Sequence, residues 1–287
     1  MSHTIVPSSV AATGTTSAAL PPQRTAFASR VRRIAQQGLE RGAALVAFFA
    51  IWELLPRLGL VSSAFLSPPS QVLLAIGQLI DSGQLNKHIW ASLQRSLAGL
   101  LLAVAAGVLL GLLMGVIRRV EAFLDPLLQL FRQVSALALF PVFLLFFGIG
   151  ETSKIAIIFW AAFWPVLLNT ISGVKQVDKL LIHSAISMGA SRAFIFYKVI
   201  LPAAAPSIFT GVRLAGAYSI TALVAAEMIG SHAGLGFLTL NSQEIFQIPS
   251  MYAGIVLLAV LGLALNYVLA RLEKRLTRWR SGLQFHD

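Results

Sequence analysis

Leu97-Ala-Gly99-Leu-Leu-Leu-Ala103-Val-Ala-Ala-Gly107-Val-Leu-Leu-Gly111-Leu-Leu-Met-Gly115-Val-Ile117 contains no charged or hydrogen-bonding side chain. As a helix rising 1.5 Å per residue it is about 31 Å long, enough to cross a hydrocarbon layer of about 30 Å. Within the run, Gly99, Ala103, Gly107, Gly111 and Gly115 recur every fourth position. Such spacing puts the small residues on one stripe, where a second backbone can come close. Two readings stand for the stripe: tight packing inside one chain, or a seam between two copies.

Similar runs occupy much of the sequence. They cover about Ala43–Leu60 (interrupted by Glu53 and Arg57), Leu127–Ile149 (with Arg132), Ile155–Val174, Pro206–Ile229 (with Arg213 and Glu227) and Met251–Ala270. The expectation is an all-α polytopic membrane protein with about six transmembrane helices. Composition agrees. Of 287 residues, 57% are hydrophobic and 11% charged, whereas soluble domains run near 45–50% and about 25%. Long uninterrupted runs also argue against a strand barrel, whose segments are short and alternating.

The net charge is +11, which in a soluble chain would point to nucleic acid. Here the basic residues flank apolar runs, so membrane lipid is the expected partner and nucleic acid is not. With the N-terminus inside, most of the 22 Lys and Arg fall on cytoplasmic segments: the N-terminal tail, Arg118-Arg119, the loop from Lys175 to Lys198, and the C-terminus from Arg271. The positive-inside rule therefore predicts that both termini are cytoplasmic. Residues 1–41, rich in Ser, Thr, Ala and Pro at their start, are read as a disordered tail. No small-residue cleavage site follows the first run, so an uncleaved span is expected rather than a signal peptide. Between the first two runs, Ser67-Pro68-Pro69-Ser70 is read as starting a short surface helix over Gln71–Ile80, with Ser70 as its cap.

The segment 175–202 is too polar and short to cross a membrane, yet its punctuation is that of a folded hairpin. Asp178 can cap a helix running to Met188, Gly189 suits the left-handed residue that ends it, and Ser191 can cap a second helix, Arg192–Ile200, which Leu201-Pro202 would stop. A cationic, partly apolar hairpin can dock on another protein or lie on lipid; both readings stand on physical grounds.

His183-Ser184-Ala185-x3-Gly189-x9-Val199-x-Leu201-Pro202 resembles the E-A-A-x3-G-x9-I-x-L-P loop of ABC importer permeases. Further pieces resemble the nitrate/sulfonate/taurine branch: Phe65-Leu66-Ser67-Pro68-Pro69, Gly148 to Lys154, Gly211-Val212-Arg213, Ala226-Glu227-Met228 and Gly234-Leu235-Gly236-Phe237. His183 and Ser184 depart from the family's Glu and Ala, so the charge contact of that Glu does not carry over. The resemblance implies a six-span permease domain over 42–280, with a core of about 88–272, in the bacterial inner membrane. It also implies a cytoplasmic loop (Asp178, His183, Ser184, Ala185, Gly189, Val199, Leu201, Pro202) that couples to separate ATP-binding subunits. A periplasmic substrate-binding protein and a second permease copy would complete the assembly. The substrate would be a small anion such as a sulfonate, taurine or nitrate.

No enzyme is expected. The chain has no G-x4-G-K-[ST] phosphate loop, no H-E-x-x-H zinc helix, no G-x-S-x-G elbow and no cysteine, and neither cofactor nor metal is expected. Glu227 and His232 are read as a structural pair or interface residues, with a proton or metal role as the alternative. An ATP-independent secondary transporter is the rival function, but no inverted repeat supports it. Arg132, with Gln133 and Ser135, is a candidate for the translocation path; the alternative is a side chain reaching the headgroups.

Overall fold

A computed structural model describes residues 42–277; the tail expected over 1–41 lies outside the described residues. The chain divides into two compact units, Met1–Trp52 and Glu53–Asp287. In the first, the described residues 42–52 are helical, with Phe48, Phe49 and Trp52 forming an aromatic cluster.

The second unit opens with helical residues 53–57. Its helices are α1 (Pro69–Asp81), α2 (Gln84–Val116), α3 (Arg118–Phe131), α4 (Ala136–Phe147), α5 (Glu151–Lys175), α6 (Lys179–Ser187), α7 (Arg192–Ile195), α8 (Leu201–Met228), α9 (Leu235–Glu244) and α10 (Ile248–Leu276). There are no strands among the described residues. The surface helix predicted at Gln71–Ile80 is α1, but its cap differs from the expectation. Pro69 occupies the first turn, and the Glu53 carboxylate accepts the Ser70 N–H at 3.0 Å and the Ser70 hydroxyl at 2.7 Å. A carboxylate placed there meets both an orphan donor and the positive end of the helix.

Four helical stretches are long and apolar enough to cross a membrane: Gln84–Val116, Glu151–Lys175, Arg192–Met228 and Ile248–Leu276. A fifth crossing is available if α3 and α4 count as one span bent by 98°. The expected run Leu127–Ile149 is therefore not one straight helix, and the expected count of about six becomes four to five among the described residues. The predicted Ala43–Leu60 run is helical only to residue 57 and is not among the four.

The core is a three-helix sandwich in which α5 packs between α2 and α8. The small stripe of α2 explains the contact. A Cβ on Gly99 would lie 2.5 Å from Ile158, one on Gly107 2.9 Å from Val166, one on Gly111 2.6 Å from Thr170 and one on Gly115 2.7 Å from Val174. Both series advance by fours in the same direction, so α2 and α5 run parallel, a ridge of one in a groove of the other. Of the two readings of the stripe, packing inside one chain is the one observed. Helix α8 returns antiparallel: a Cβ on Gly173 would meet Ser207 at 2.7 Å, and one on Gly211 would meet Asn169 at 2.7 Å. Helix α10 packs against α8, α9 and α1. Leu100, Ala103, Met114, Ala162, Val166, Leu167 and Ala215 form the main buried cluster.

Candidate functional site

Three features of the second unit carry chemistry. The first is the hairpin. Asp178 accepts the Leu180 N–H at 2.8 Å, and Ser191 accepts the Phe194 N–H at 3.3 Å, so both predicted caps form. Gly189 has φ +77°; its N–H bonds to the Ile186 carbonyl at 2.9 Å, and the Ala190 N–H to the Ala185 carbonyl at 3.0 Å. This pair of bonds is a Schellman motif, which satisfies the last carbonyls of α6. Ala185 is buried in the hairpin, while His183 and Ser184 are exposed. The second helix does not stop at Leu201-Pro202. Phe196–Ile200 form a π-helical turn in which the Leu201 N–H reaches back five residues to Phe196. Proline lacks an N–H and clashes with the carbonyl four residues earlier, and the wider turn absorbs that clash. The chain then continues unbroken into α8. A groove of about 710 Å³ lies between the hairpin and the end of α5, with Leu181, Ala185, Met188, Phe194, Val199 and Pro202 among its walls.

The second feature is a polar cluster that sequence reasoning missed. Glu227, at the end of α8, is fully buried. Its carboxylate accepts from the Arg95 Nη1 at 2.8 Å, the Ser92 hydroxyl at 2.8 Å and the Gly236 N–H at 2.9 Å. Arg95 also forks onto Glu151, with Nε and Nη2 donating at 2.5 and 2.7 Å, and donates to the Ala233 carbonyl at 2.6 Å. Lys154 approaches Glu151 at 3.3 Å. The Ser92 hydroxyl accepts the Leu235 N–H at 2.8 Å, and His88 Nδ1 accepts the Gly234 N–H at 3.1 Å. The cluster thus ties α2, α5 and α8 to the first turn of α9. Gly234, at φ +127°, has no room for a side chain, since a Cβ would stand 2.3 Å from the Glu227 carboxyl. His232 is exposed, and the bonds of Glu227 go elsewhere, which corrects the expected pairing. The signal available in the sequence was Ser92 and Arg95 on the same helical face as Gly99. The uncharged run begins only at Leu97, whereas α2 begins at Gln84 and carries Ser92 and Arg95 in its first half.

The third feature lies where α3 gives way to α4. Residues 132–135 are not helical. A cavity of about 520 Å³ opens there, lined by Arg132 and Gln133 together with Trp160, Trp164, Asn169 and Tyr218. Ser135, the third expected path residue, is not among its walls and sits at the start of α4. Arg213 is held instead against α10, donating to Asn266 at 3.0 Å with Glu273 at 3.7 Å, so it has a structural partner. Among the described residues, no group of His, Cys, Asp and Glu is arranged to hold a metal ion.

Long apolar helices, a capped hairpin that extends a span, and a largely apolar cavity with Arg132 and Gln133 in its wall at a helix break are the features of a helical membrane protein. Residues 103–278 match the family described as binding-protein-dependent transport system inner membrane component, and the chain belongs to that family. It is 38% identical over 248 residues to a putative aliphatic sulfonates transport permease protein of Bacillus subtilis, covering 86% of this chain and 90% of the relative. It is 39% identical over 245 residues to a taurine transport system permease protein of Escherichia coli, covering 84% and 89%. Among solved structures, an inward-facing form of the MetNI methionine ABC transporter shares the fold, with a TM-score of 0.56 at 20% identity. That match covers 66% of this chain and 94% of the transporter chain.

Proposed function

We propose that this chain forms the pore of an ATP-driven importer for a small sulfonate, an aliphatic sulfonate or taurine, and pairs with a second copy of itself. The observation that carries the coupling is the hairpin 178–200. It is rigidly capped, and it exposes Leu180, Leu181, Ile186, Met188, Phe194 and Tyr197 beside Lys179, Arg192 and Lys198. An apolar patch rimmed by cations fits a protein groove. ATP is hydrolysed in separate cytoplasmic subunits, since the chain has no phosphate loop, and a periplasmic binding protein delivers the substrate. Continuity of the π-turn with α8 supplies the transmission: a push on the hairpin moves a helix whose other end carries Glu227.

The parallel course of α2 and α5 supports the proposed topology. Two parallel neighbours require one return crossing between them, and the bent α3–α4 pair supplies it. The C-terminal end of α10 then lies on the same side as the hairpin, and the N-terminus joins it there only if the 43–60 run makes a further crossing.

Gly189→Val tests the coupling. A Cβ at Gly189 meets nothing within 4 Å, so the only cost is backbone strain at positive φ, about 1–2 kcal/mol. The variant should insert normally and retain the ATPase subunits' basal hydrolysis, but lose stimulation by loaded binding protein. Full stimulation in Gly189→Val contradicts the docking role.

A further inference from the structure

The break between α3 and α4 places irregular backbone in the middle of an apolar run. In a membrane, such backbone persists only where protein buries it or a water-filled path wets it. Part of the freed backbone is met locally, since the Trp160 indole donates to the Val134 carbonyl at 3.4 Å. The rest of the neighbourhood is the 520 Å³ cavity. Arg132 at its edge is exposed and makes no ion pair among the described residues. The Asn169 amide is met by the Pro165 carbonyl at 2.8 Å, but an unpaired Arg132 and the Gln133 amide would be costly against lipid tails, which favours an opening onto an aqueous path.

The walls have a definite chemistry. Arg132 is the one ionic residue lining the cavity, and no carboxylate lines it. Trp160 and Trp164 stand edge to face, with ring centroids 5.3 Å apart, and Tyr218 adds a third ring. The Trp164 indole N–H is itself enclosed by protein, so that residue offers the cavity its ring. A cation and aromatic faces together accept a monoanionic head carrying an apolar tail. A zwitterion's ammonium group meets no carboxylate there, only ring faces, and the Arg132 cation repels it. The volume is within the range of small-molecule sites.

On the reading that this chain is an importer permease, we propose that this cavity is a transient substrate site that favours alkanesulfonates over taurine. Arg132 meets the sulfonate, and Trp160 and Trp164 hold the alkyl chain. The site lies beside the path rather than closing around the ligand, so binding is weak and release is fast, as conduction requires.

The test uses the complete complex in proteoliposomes, with the permease, its ATPase subunits and saturating binding protein. Uptake per ATP hydrolysed is measured for methanesulfonate, hexanesulfonate and taurine. Arg132→Gln should cut sulfonate uptake per ATP at least tenfold, and Arg132→Lys should restore most of it. Trp164→Ala should lower hexanesulfonate uptake about tenfold while changing methanesulfonate less than twofold. Unchanged uptake in Arg132→Gln, or an equal loss for both chain lengths in Trp164→Ala, overturns the site while the importer reading stands. Failure of Arg132→Gln to assemble assigns Arg132 to packing and also overturns the site. Absence of ATP-dependent sulfonate uptake by the wild-type complex overturns the importer reading and the site together.

Discussion

Glu227 shows how much a single residue can organise. It lies at the apolar end of α8, fully buried, and it keeps its charge company through Arg95, Ser92 and the Gly236 N–H. Removing one member of a buried pair strands the other, at a cost of about 3–5 kcal/mol. Glu227→Ala should therefore lower the thermal stability of the purified protein severely. Arg95→Met combined with Glu227→Met should lose clearly less than the sum of the two single changes. Additive losses in that double-mutant cycle would show that the two side chains do not act as a pair. This pairing was not legible in the sequence, because its partners stand 132 positions apart and no local rule joins them. Asp178, Gly189 and Ser191 were legible because caps and left-handed turns are decided within a few residues. Ser70 misled for a related reason: a serine after proline is a fair local cap, but a carboxylate 17 positions earlier took the role.

Among the elements, the α2–α5 contact rests on the absence of side chains. Four glycines and Ala103 let Ile158, Ala162, Val166, Thr170 and Val174 seat against the α2 backbone. Gly111→Val would drive new methyls into Thr170, where even a Cβ comes within 2.6 Å. Overpacking of this kind costs typically 1–3 kcal/mol. The melting temperature in detergent should fall by several degrees, while Gly77→Val on the open face of α1, where nothing lies within 4 Å, should change little. An equal melting temperature for Gly111→Val would mean that the helices are not held this closely. The stripe itself was visible from spacing, though which surface it met was not, since a stripe carries no address. Two elements escaped prediction for reasons of local geometry. Pro202 reads as a helix stop, yet a π-turn accommodates it and the helix runs on. The 127–149 run reads as one span, yet it bends by 98° at Arg132–Ser135, a bend that composition alone does not reveal.

At the scale of the whole molecule, one helix connects two sites mechanically. The hairpin at one end of α8 and the buried Glu227 cluster at the other share a continuous helix, and the α3–α4 break opens a largely apolar cavity, with Arg132 and Gln133 in its wall, beside it. Membrane class and family were legible because long apolar runs and a spaced loop motif are properties of sequence order. The number of crossings was less so, since helix length, bends and burial depend on contacts between distant segments. The proposed transport of a sulfonate by this chain, at the expense of ATP hydrolysed by a partner, is open to direct measurement. The most direct measurement is uptake of radiolabelled hexanesulfonate and taurine into proteoliposomes holding the permease with its ATPase subunits. The account predicts accumulation only with ATP on the ATPase side and binding protein on the other. Uptake that ignores ATP and follows an imposed ion gradient would contradict it.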